Sequence, residues 1–177
     1  MRRCLPILAA VIAVTSGAQS GPSVFRRDLL AGSWKVNWEK SKMQHAVPAS
    51  RRPAMYREYR DNGDGFMLHT VMQVSPGGEV ATLQLLGAVK YDNKEYPTFT
   101  QERLTNFLAS GKQPLQTVAF KVTGSHNLEW TDRTSGRVTA DGTMTLSEDG
   151  RIMTMTDRSY DAQGKPVAFN VLIYDKQ

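Results

Sequence analysis

The sequence predicts an all-β protein, folded as a single antiparallel meander β-barrel of about 8–10 strands with one short inserted helix. Three observations predict it. Short segments alternate between apolar and polar residues, turn residues separate these segments at short intervals, and a Gly-x-Trp strand opens the series. A barrel suits such a chain because closing the sheet removes its exposed edges.

The first strand begins at Gly32-Ser33-Trp34. Side chains alternate between the two faces of a strand, so Trp34, Val36 and Trp38 share one face. Gly32 lets the chain bend tightly beside the large indole. We therefore predict that Gly32 and Trp34 are structural residues and that Trp34 closes one end of the barrel.

Further strands are predicted wherever apolar alternation lies between turn sequences rich in Gly, Asn and Asp. Residues 61–65 read Asp-Asn-Gly-Asp-Gly, which is a hairpin loop by composition. Such short links favour antiparallel neighbours paired in sequence order. An interruption is expected at residues 141–142 of one strand. The predicted strands cover residues 55–60, 66–74, 80–91, 115–123, 127–132, 137–147, 151–160 and 166–174.

One segment departs from the β pattern and predicts a helix over residues 100–110. Leu104, Phe107 and Leu108 have the i, i+3, i+4 spacing of one helical face, and Gly111 follows where a helix would end. Thr98 with Gln101 could form a capping box. A helix this short is stabilised mainly by packing its apolar face. We expect that face to cover the mouth or flank of the barrel as a lid.

The chain starts with the pattern of a secretory signal peptide. Arg2 and Arg3 precede an apolar run over residues 5–14, and small residues follow at Ser16 and Ala18. The run is shorter than the ~20 residues that span a bilayer. We predict a signal peptide over residues 1–18 cleaved near Ala18, a flexible segment over 19–28, and a barrel domain over 29–177. The mature protein is expected to be periplasmic or secreted and not transmembrane.

The formal net charge is +5, and basic residues are concentrated between positions 35 and 60. A solvated edge explains this concentration in ordinary terms. The alternative is a patch that contacts an anionic envelope surface. Nucleic acid is not expected as a partner, because an exported protein is in the wrong compartment to meet it. The residues predicted to contact an anionic surface are Lys40, Lys42, Arg51 and Arg52.

Several pieces of the chain resemble a known family. Gly32-Ser33-Trp34 resembles the Gly-x-Trp signature of lipocalins and related calycins. Residues 40–42 (Lys-Ser-Lys), residues 90–97 (KYDNKEYP) and the last hairpins resemble exported bacterial lipocalin-like proteins of uncertain function. The resemblance implies a β-barrel and a ligand cavity. It also implies an arginine over the Trp34 ring, for which Arg158 is the candidate.

Catalytic and metal-binding patterns are weak. The three histidines fall in separate segments without paired ligand spacing, and residues 61–64 lack the calcium-loop pattern. The acidic pairs Asp157 with Asp161 and Glu129 with Asp132 are too far apart or on opposite strand faces for joint catalysis. We predict no metal and no cofactor, and enzymatic activity is not indicated. The histidines are His45, His69 and His126.

Large, adaptable side chains give the clearer prediction of function. Ordinary core packing would explain each of them singly, but a barrel of this size often has room for one small ligand. We predict a protein that holds a small apolar or amphipathic molecule. The alternative is an envelope interaction protein that uses its outer basic surface on an anionic polymer, a membrane or a partner protein. The predicted ligand-binding residues are Phe66, Phe120, Trp130, Met155 and Phe169.

Overall fold

The computed structural model describes residues 24–78, 81–111 and 116–177. It is an antiparallel all-β fold with two short α-helices, α1 (Arg27–Leu30) and α2 (Gln101–Ser110). A single 3₁₀ turn covers Ala49–Arg51. The strands are β1 (Gly32–Val36), β2 (Lys42–Met43), β3 (Ala54–Asp61), β4 (Met67–Val74), β5 (Ala81–Val89), β6 (Asp92–Pro97), β7 (Gln116–Gly124), β8 (Asn127–Thr134), β9 (Arg137–Leu146), β10 (Ile152–Tyr160) and β11 (Pro166–Lys176).

The strands follow one another around a barrel. Hydrogen-bonded neighbours run in the order β5-β4-β3-β1-β11-β10-β9-β8-β7-β6. Strand β1 pairs antiparallel with β3 on one side and with β11 on the other, which joins the two halves of the chain. The predicted antiparallel meander of about 8–10 strands is confirmed, with ten strands in this order and the two-residue β2 beside β11.

Two strands were not predicted, and both lack the apolar alternation that predicts a strand. β6 is exposed at almost every position, and β2 is only two residues long. β6 is held by its ladder with β7, in which Tyr96 lies opposite Val118. Its pairing comes from the backbone rather than from a buried face, so a hydrophobic pattern could not reveal it.

One end of the barrel is filled by packed side chains around Trp34, which is 0% exposed. The indole Nε1 of Trp34 donates a hydrogen bond to the Leu30 carbonyl at 2.8 Å. Leu30 is itself buried, at the end of α1. Trp34 therefore ties the first strand to the segment that covers this end, which we call the closed end.

Residues that were predicted to be flexible form part of the closed end. Phe25 is 4% exposed and its ring meets Tyr91 edge-to-face, with ring centroids 5.4 Å apart. The Arg26 amide donates to the Ser125 carbonyl at 2.8 Å. Among the described residues, packing on the barrel thus extends back to Phe25, because an apolar ring and a backbone hydrogen bond hold this stretch in place.

A cation covers Trp34, but it is not Arg158. Lys176 Nζ lies 5.2 Å from the Trp34 ring centroid and donates to the Leu29 carbonyl at 2.7 Å. Arg158 instead lies on the outer wall, where it pairs with Asp141. Lys176 is carried to this position because β11 runs back beside β1, with Trp34 opposite Lys176 in the register.

The predicted helix is confirmed as α2, but its expected contacts are not. Leu108 is 75% exposed, so it does not pack as part of a lid. The Thr98 hydroxyl is buried and has no hydrogen-bond partner among the described residues, so it does not form the capping box. The side chains of Leu104 and Phe107 lie outside the described part of the structure.

Residues 1–18 also lie outside the described residues, so the signal peptide stays a prediction. Among the helices that the structure describes, none is long and apolar enough to cross a membrane.

Candidate functional site

The inward side chains of the barrel differ in polarity and burial between its two ends. At the closed end the inward side chains are large, apolar and fully buried, such as Leu128, Met144 and Met153. Farther along the same strands, the inward positions carry half-buried side chains, several of them polar. We call this second region the open half. Its inward residues include Arg57, Asp132, Ala140, Asp157 and Asn170.

Strand alternation places these residues inside the barrel. Asp132 follows the buried Trp130 by two positions, and Asp157 follows the buried Met155 by two positions. The registers agree, because Asp132 lies opposite Ala140. Together with Arg57 on β3, strands β8 and β10 thus place polar groups on the inner face of the barrel.

Arg57 is the cation of the open half. Its guanidinium lies 5.3 Å from the Tyr174 ring centroid, and its Nη1 donates to the Tyr59 hydroxyl at 3.5 Å. Its Nε is buried without a hydrogen-bond partner among the described residues. Burial lowers the pKa of Arg57, but the phenolic oxygens of Tyr174 and Tyr59 raise it by a larger amount. The pKa of Arg57 is therefore raised above its ordinary value. Arg57 therefore keeps its positive charge.

Two carboxyl groups face this cation. Burial raises the pKa of Asp132 to about 6, with Arg57 opposing the rise and Asp157 adding to it. Burial also raises the pKa of Asp157, against the opposing effects of Asn170 and Arg57. The Asn170 Nδ2 lies 3.5 Å from the Asp157 Oδ2. Neither carboxylate forms an ion pair with Arg57 in the described structure, so all three groups keep capacity for a bound molecule.

His69 separates the open half from the apolar core. Its Nε2 lies 2.8 Å from the Tyr91 hydroxyl, and its ring packs against Phe120 at 4.9 Å between centroids. Burial, with a smaller effect from Arg57, lowers the pKa of His69 to about 3. His69 is therefore neutral and hydrogen-bonded to Tyr91. Within the described residues no group of His, Cys, Asp and Glu side chains could hold a metal ion.

The structure brings together three of the five predicted ligand-binding residues. Phe120, Trp130 and Met155 are buried in one core cluster. Phe169 is 51% exposed on the outer face, which corrects its predicted interior position. In the register of β11 the inward positions are Asn170, Leu172 and Tyr174, so the side chain of Phe169 faces outward.

Phe66 is also outside that cluster. It immediately precedes β4 and meets the Tyr96 ring edge-to-face, with centroids 5.9 Å apart. Lys90 Nζ lies 4.4 Å from its ring centroid. Phe66 thus packs near the β3–β4 turn, and its neighbour Met67 takes the inward position. A ligand-binding role for any of the five residues stays a prediction.

A depression of about 390 Å³ lies on the outer wall, across β8 to β11. Its lining includes Phe169 and the Asp141–Arg158 pair, whose Arg158 Nε donates to Asp141 at 2.9 Å. Gly142 also lines it, beside the buried Trp130 Nε1, which has no hydrogen-bond partner in the described structure. The depression reflects an irregular stretch of the β9–β10 ladder, where Thr143 N donates to the Thr156 side chain at 2.8 Å.

The four predicted surface cations differ in their contacts. Lys40 pairs with Asp175 at 3.3 Å, and the Arg52 Nε donates to the Val47 carbonyl at 3.0 Å. Lys42 and Arg51 are exposed. Contact of these four residues with an anionic surface stays a prediction.

Sequence reasoning missed Arg57, Asp132 and Asp157 as a set. The sequence did contain an indication, since each of these charged residues lies on the same strand face as buried residues of its strand. A charged side chain on an apolar face is an informative exception. Pairwise spacing along one strand could not join them, because they meet through long-range register.

Comparison with solved structures supports the fold. The chain is similar to a mutant of the fluorescent protein UnaG, with a TM-score of 0.53 and 10% identity, over 85% of this chain and 97% of that one. The redesigned beta barrel mFAP1, bound to DFHBI, aligns over 85% of this chain and 97% of its own with a TM-score of 0.40 and 10% identity. EF1p2_mFAP2b, also bound to DFHBI, aligns over 85% and 95% with a TM-score of 0.41 and 11% identity.

The likeness to UnaG shows a lipocalin-like β-barrel fold, as the resemblance of the sequence implied. No protein-family model matches the chain. The search of curated proteins also gave no match.

Proposed function

We propose that this protein binds a small amphipathic molecule inside the open half of its barrel. The apolar part of the molecule would lie against Met155, Leu172 and the edge of the Phe120–Trp130 cluster. Its polar part would meet Arg57, Asp132 and Asp157. This arrangement combines an apolar lining with a few convergent polar groups, which is typical of small-molecule sites.

The buried, unpartnered Arg57 Nε is the observation that carries the proposal. An unmade hydrogen bond on a buried polar group costs about 1–3 kcal/mol. The two carboxyls nearby have raised pKa values and no ion pair with Arg57 in the described structure. A bound molecule with polar atoms at this place would supply the missing partners.

Filling the open half tests the proposal. Ala140 faces inward opposite Asp132, and Ala88 is exposed on the outer face of β5. We expect 1-octanol, followed by isothermal titration calorimetry, to bind the wild-type protein. Ala140→Trp should abolish this binding, whereas the matched control Ala88→Trp should leave it unchanged.

Ala140→Leu is the second variant if the tryptophan prevents folding, and thermal unfolding verifies that each variant is folded. Equal binding by the wild-type protein and both folded Ala140 variants would show that octanol binds elsewhere. Absence of binding by the wild-type protein up to about 1 mM, a free energy of ~4 kcal/mol, would contradict the proposal.

We also propose that the protein acts outside the cytoplasm. The positively charged start, the apolar run over residues 5–14 and the small residues up to Ala18 support export through a cleaved signal peptide. The ligand would then be a molecule of the periplasm or the surroundings of the cell.

A further inference from the structure

The open half holds an unequal set of charges. Arg57 brings one positive charge, whereas Asp132 and Asp157 bring two negative charges when both are ionised. The remaining ionisable groups near Arg57 are neutral around pH 7. Tyr59 has a raised pKa, and the pKa of His69 is lowered to about 3. Among the described inward residues, the balance is therefore one negative charge.

We propose that the polar end of the bound molecule is a cationic amine rather than a carboxylate or another anion. This inference rests on the proposed function, and it names the chemical class of the ligand.

Burial gives this charge balance its importance. Asp132 and Asp157 are half-buried, and uncompensated charge in a partly dehydrated space is costly. An ammonium group offers three hydrogen-bond donors and one positive charge, which suits two carboxyls that share a single guanidinium. An anion could contact Arg57, but it would also face both carboxylates, and contact between like charges is unfavourable.

The elements around the open half supply no described inward cation other than Arg57. Strand β4 contributes neutral His69, and β11 contributes Asn170 and the Tyr174 phenol. Asp141 of β9 raises the pKa of Asp157 slightly further, but its carboxylate lies on the outer wall and is held by Arg158. Arg57 keeps a free Nε that can donate to a neutral acceptor beside the amine.

Three probes with the same chain length test this inference. Octylamine, 1-octanol and octanesulfonate differ in head-group charge, and none of the three changes charge between pH 5 and pH 8. Calorimetry at pH 8 should show octylamine binding more tightly than octanesulfonate by at least about tenfold. The preference should shrink at pH 5, because Asp132, whose pKa is about 6, then takes up a proton and the balance loses one negative charge.

Two variants and one control locate the effect. Asp132→Asn and Asp157→Asn should each reduce the ratio of octylamine to octanesulfonate affinity at pH 8 by about threefold or more. Glu129→Gln is the matched control, because Glu129 is an exposed acid on β8 that pairs with Lys121 outside the barrel.

Each outcome has a defined meaning. If octanol binds and octanesulfonate binds as tightly as octylamine or more tightly, the cationic head group is wrong while the proposed function stands. If the ratio is unchanged in both Asp variants, the preference arises outside the open half and the inference is also wrong. If none of the three probes binds, the proposed function itself fails.

Discussion

Trp34 links the first strand to the segment that covers the closed end. The ring is fully buried, its Nε1 donates to Leu30, and Lys176 covers one face. Trp34→Ala should lower the free energy of unfolding by about 3–5 kcal/mol, because it removes a large side chain from a packed core. Urea unfolding measures this loss.

Trp34→Phe is the control for Trp34→Ala. It keeps most of the apolar contact and loses the hydrogen bond to Leu30, so we expect a smaller loss than for Ala. A loss below about 1 kcal/mol for Trp34→Ala would contradict the described packing.

Asp132 makes the stability depend on pH. The pKa in the folded protein is about 6, above the ordinary 3.8, so folding favours the protonated carboxyl. The stability that the protonated Asp132 carboxyl contributes is fully present below about pH 3.8 and is lost as the pH rises through about 6. Asp132→Asn cannot ionise. As the pH rises from 4 to 8, the free energy of unfolding of this variant should therefore increase by ~2–3 kcal/mol relative to that of the wild-type protein.

Urea unfolding of both proteins at several pH values measures this gain. Glu129→Gln, on the outer face of the same strand, should show no comparable change. A difference between Asp132→Asn and the wild-type protein that is constant from pH 4 to pH 8 would mean that Asp132 is not buried beside Asp157.

At the scale of elements, the irregular stretch of the β9–β10 ladder depends on Gly142. A β-carbon on Gly142 would overlap the Thr156 carbonyl and lie 2.9 Å from Trp130 Nε1. Gly142→Ala should therefore lower the free energy of unfolding by about 2–3 kcal/mol, because one strand has to move.

Gly63→Ala is the comparison for Gly142→Ala. Gly63 has a positive φ of 78°, and no described atom lies within 4 Å of the added carbon, so only backbone strain is introduced. We expect a smaller cost, about 1 kcal/mol, in the same urea experiment. Equal costs for the two variants would contradict the close approach at Gly142.

The elements were predictable wherever each strand has its own buried face. The alternation around Val118 and Phe120 predicted β7, and the spacing before Gly111 predicted α2. β6 was missed because its side chains are exposed and its pairing is a backbone property. The lid role of Leu108 was wrong because periodicity shows which residues share a helix face, not whether another element covers that face.

At the scale of the whole molecule, β1 joins the N-terminal and C-terminal strands into one sheet by pairing with both β3 and β11. That junction also determines the site, since Arg57 on β3 lies on the other side of β1 from Asp132 on β8 and Asp157 on β10. The interior position of Phe120, Trp130 and Met155 follows from local alternation. The proximity of Arg57, Asp132 and Asp157 depends on the pairing registers of many strands, which local sequence patterns do not specify.

The export proposal predicts a shortened mature chain. Expression of the 177-residue chain with secretion should yield a protein that begins close to residue 19, because the segment up to Ala18 would be removed. N-terminal sequencing or intact mass of the secreted protein measures this. A secreted protein that still begins at Met1 would contradict the signal peptide.

Ligand binding in the open half is the central claim, and NMR of methyl-labelled methionine tests it most directly. Met55 and Met155 precede Arg57 and Asp157 by two positions on the inner face, whereas Met72 is exposed outside. Titration with 1-octanol should shift the Met55 and Met155 methyl signals and leave Met72 in place. Shifts confined to Met72, or no shifts up to about 1 mM, would contradict a ligand site inside the barrel.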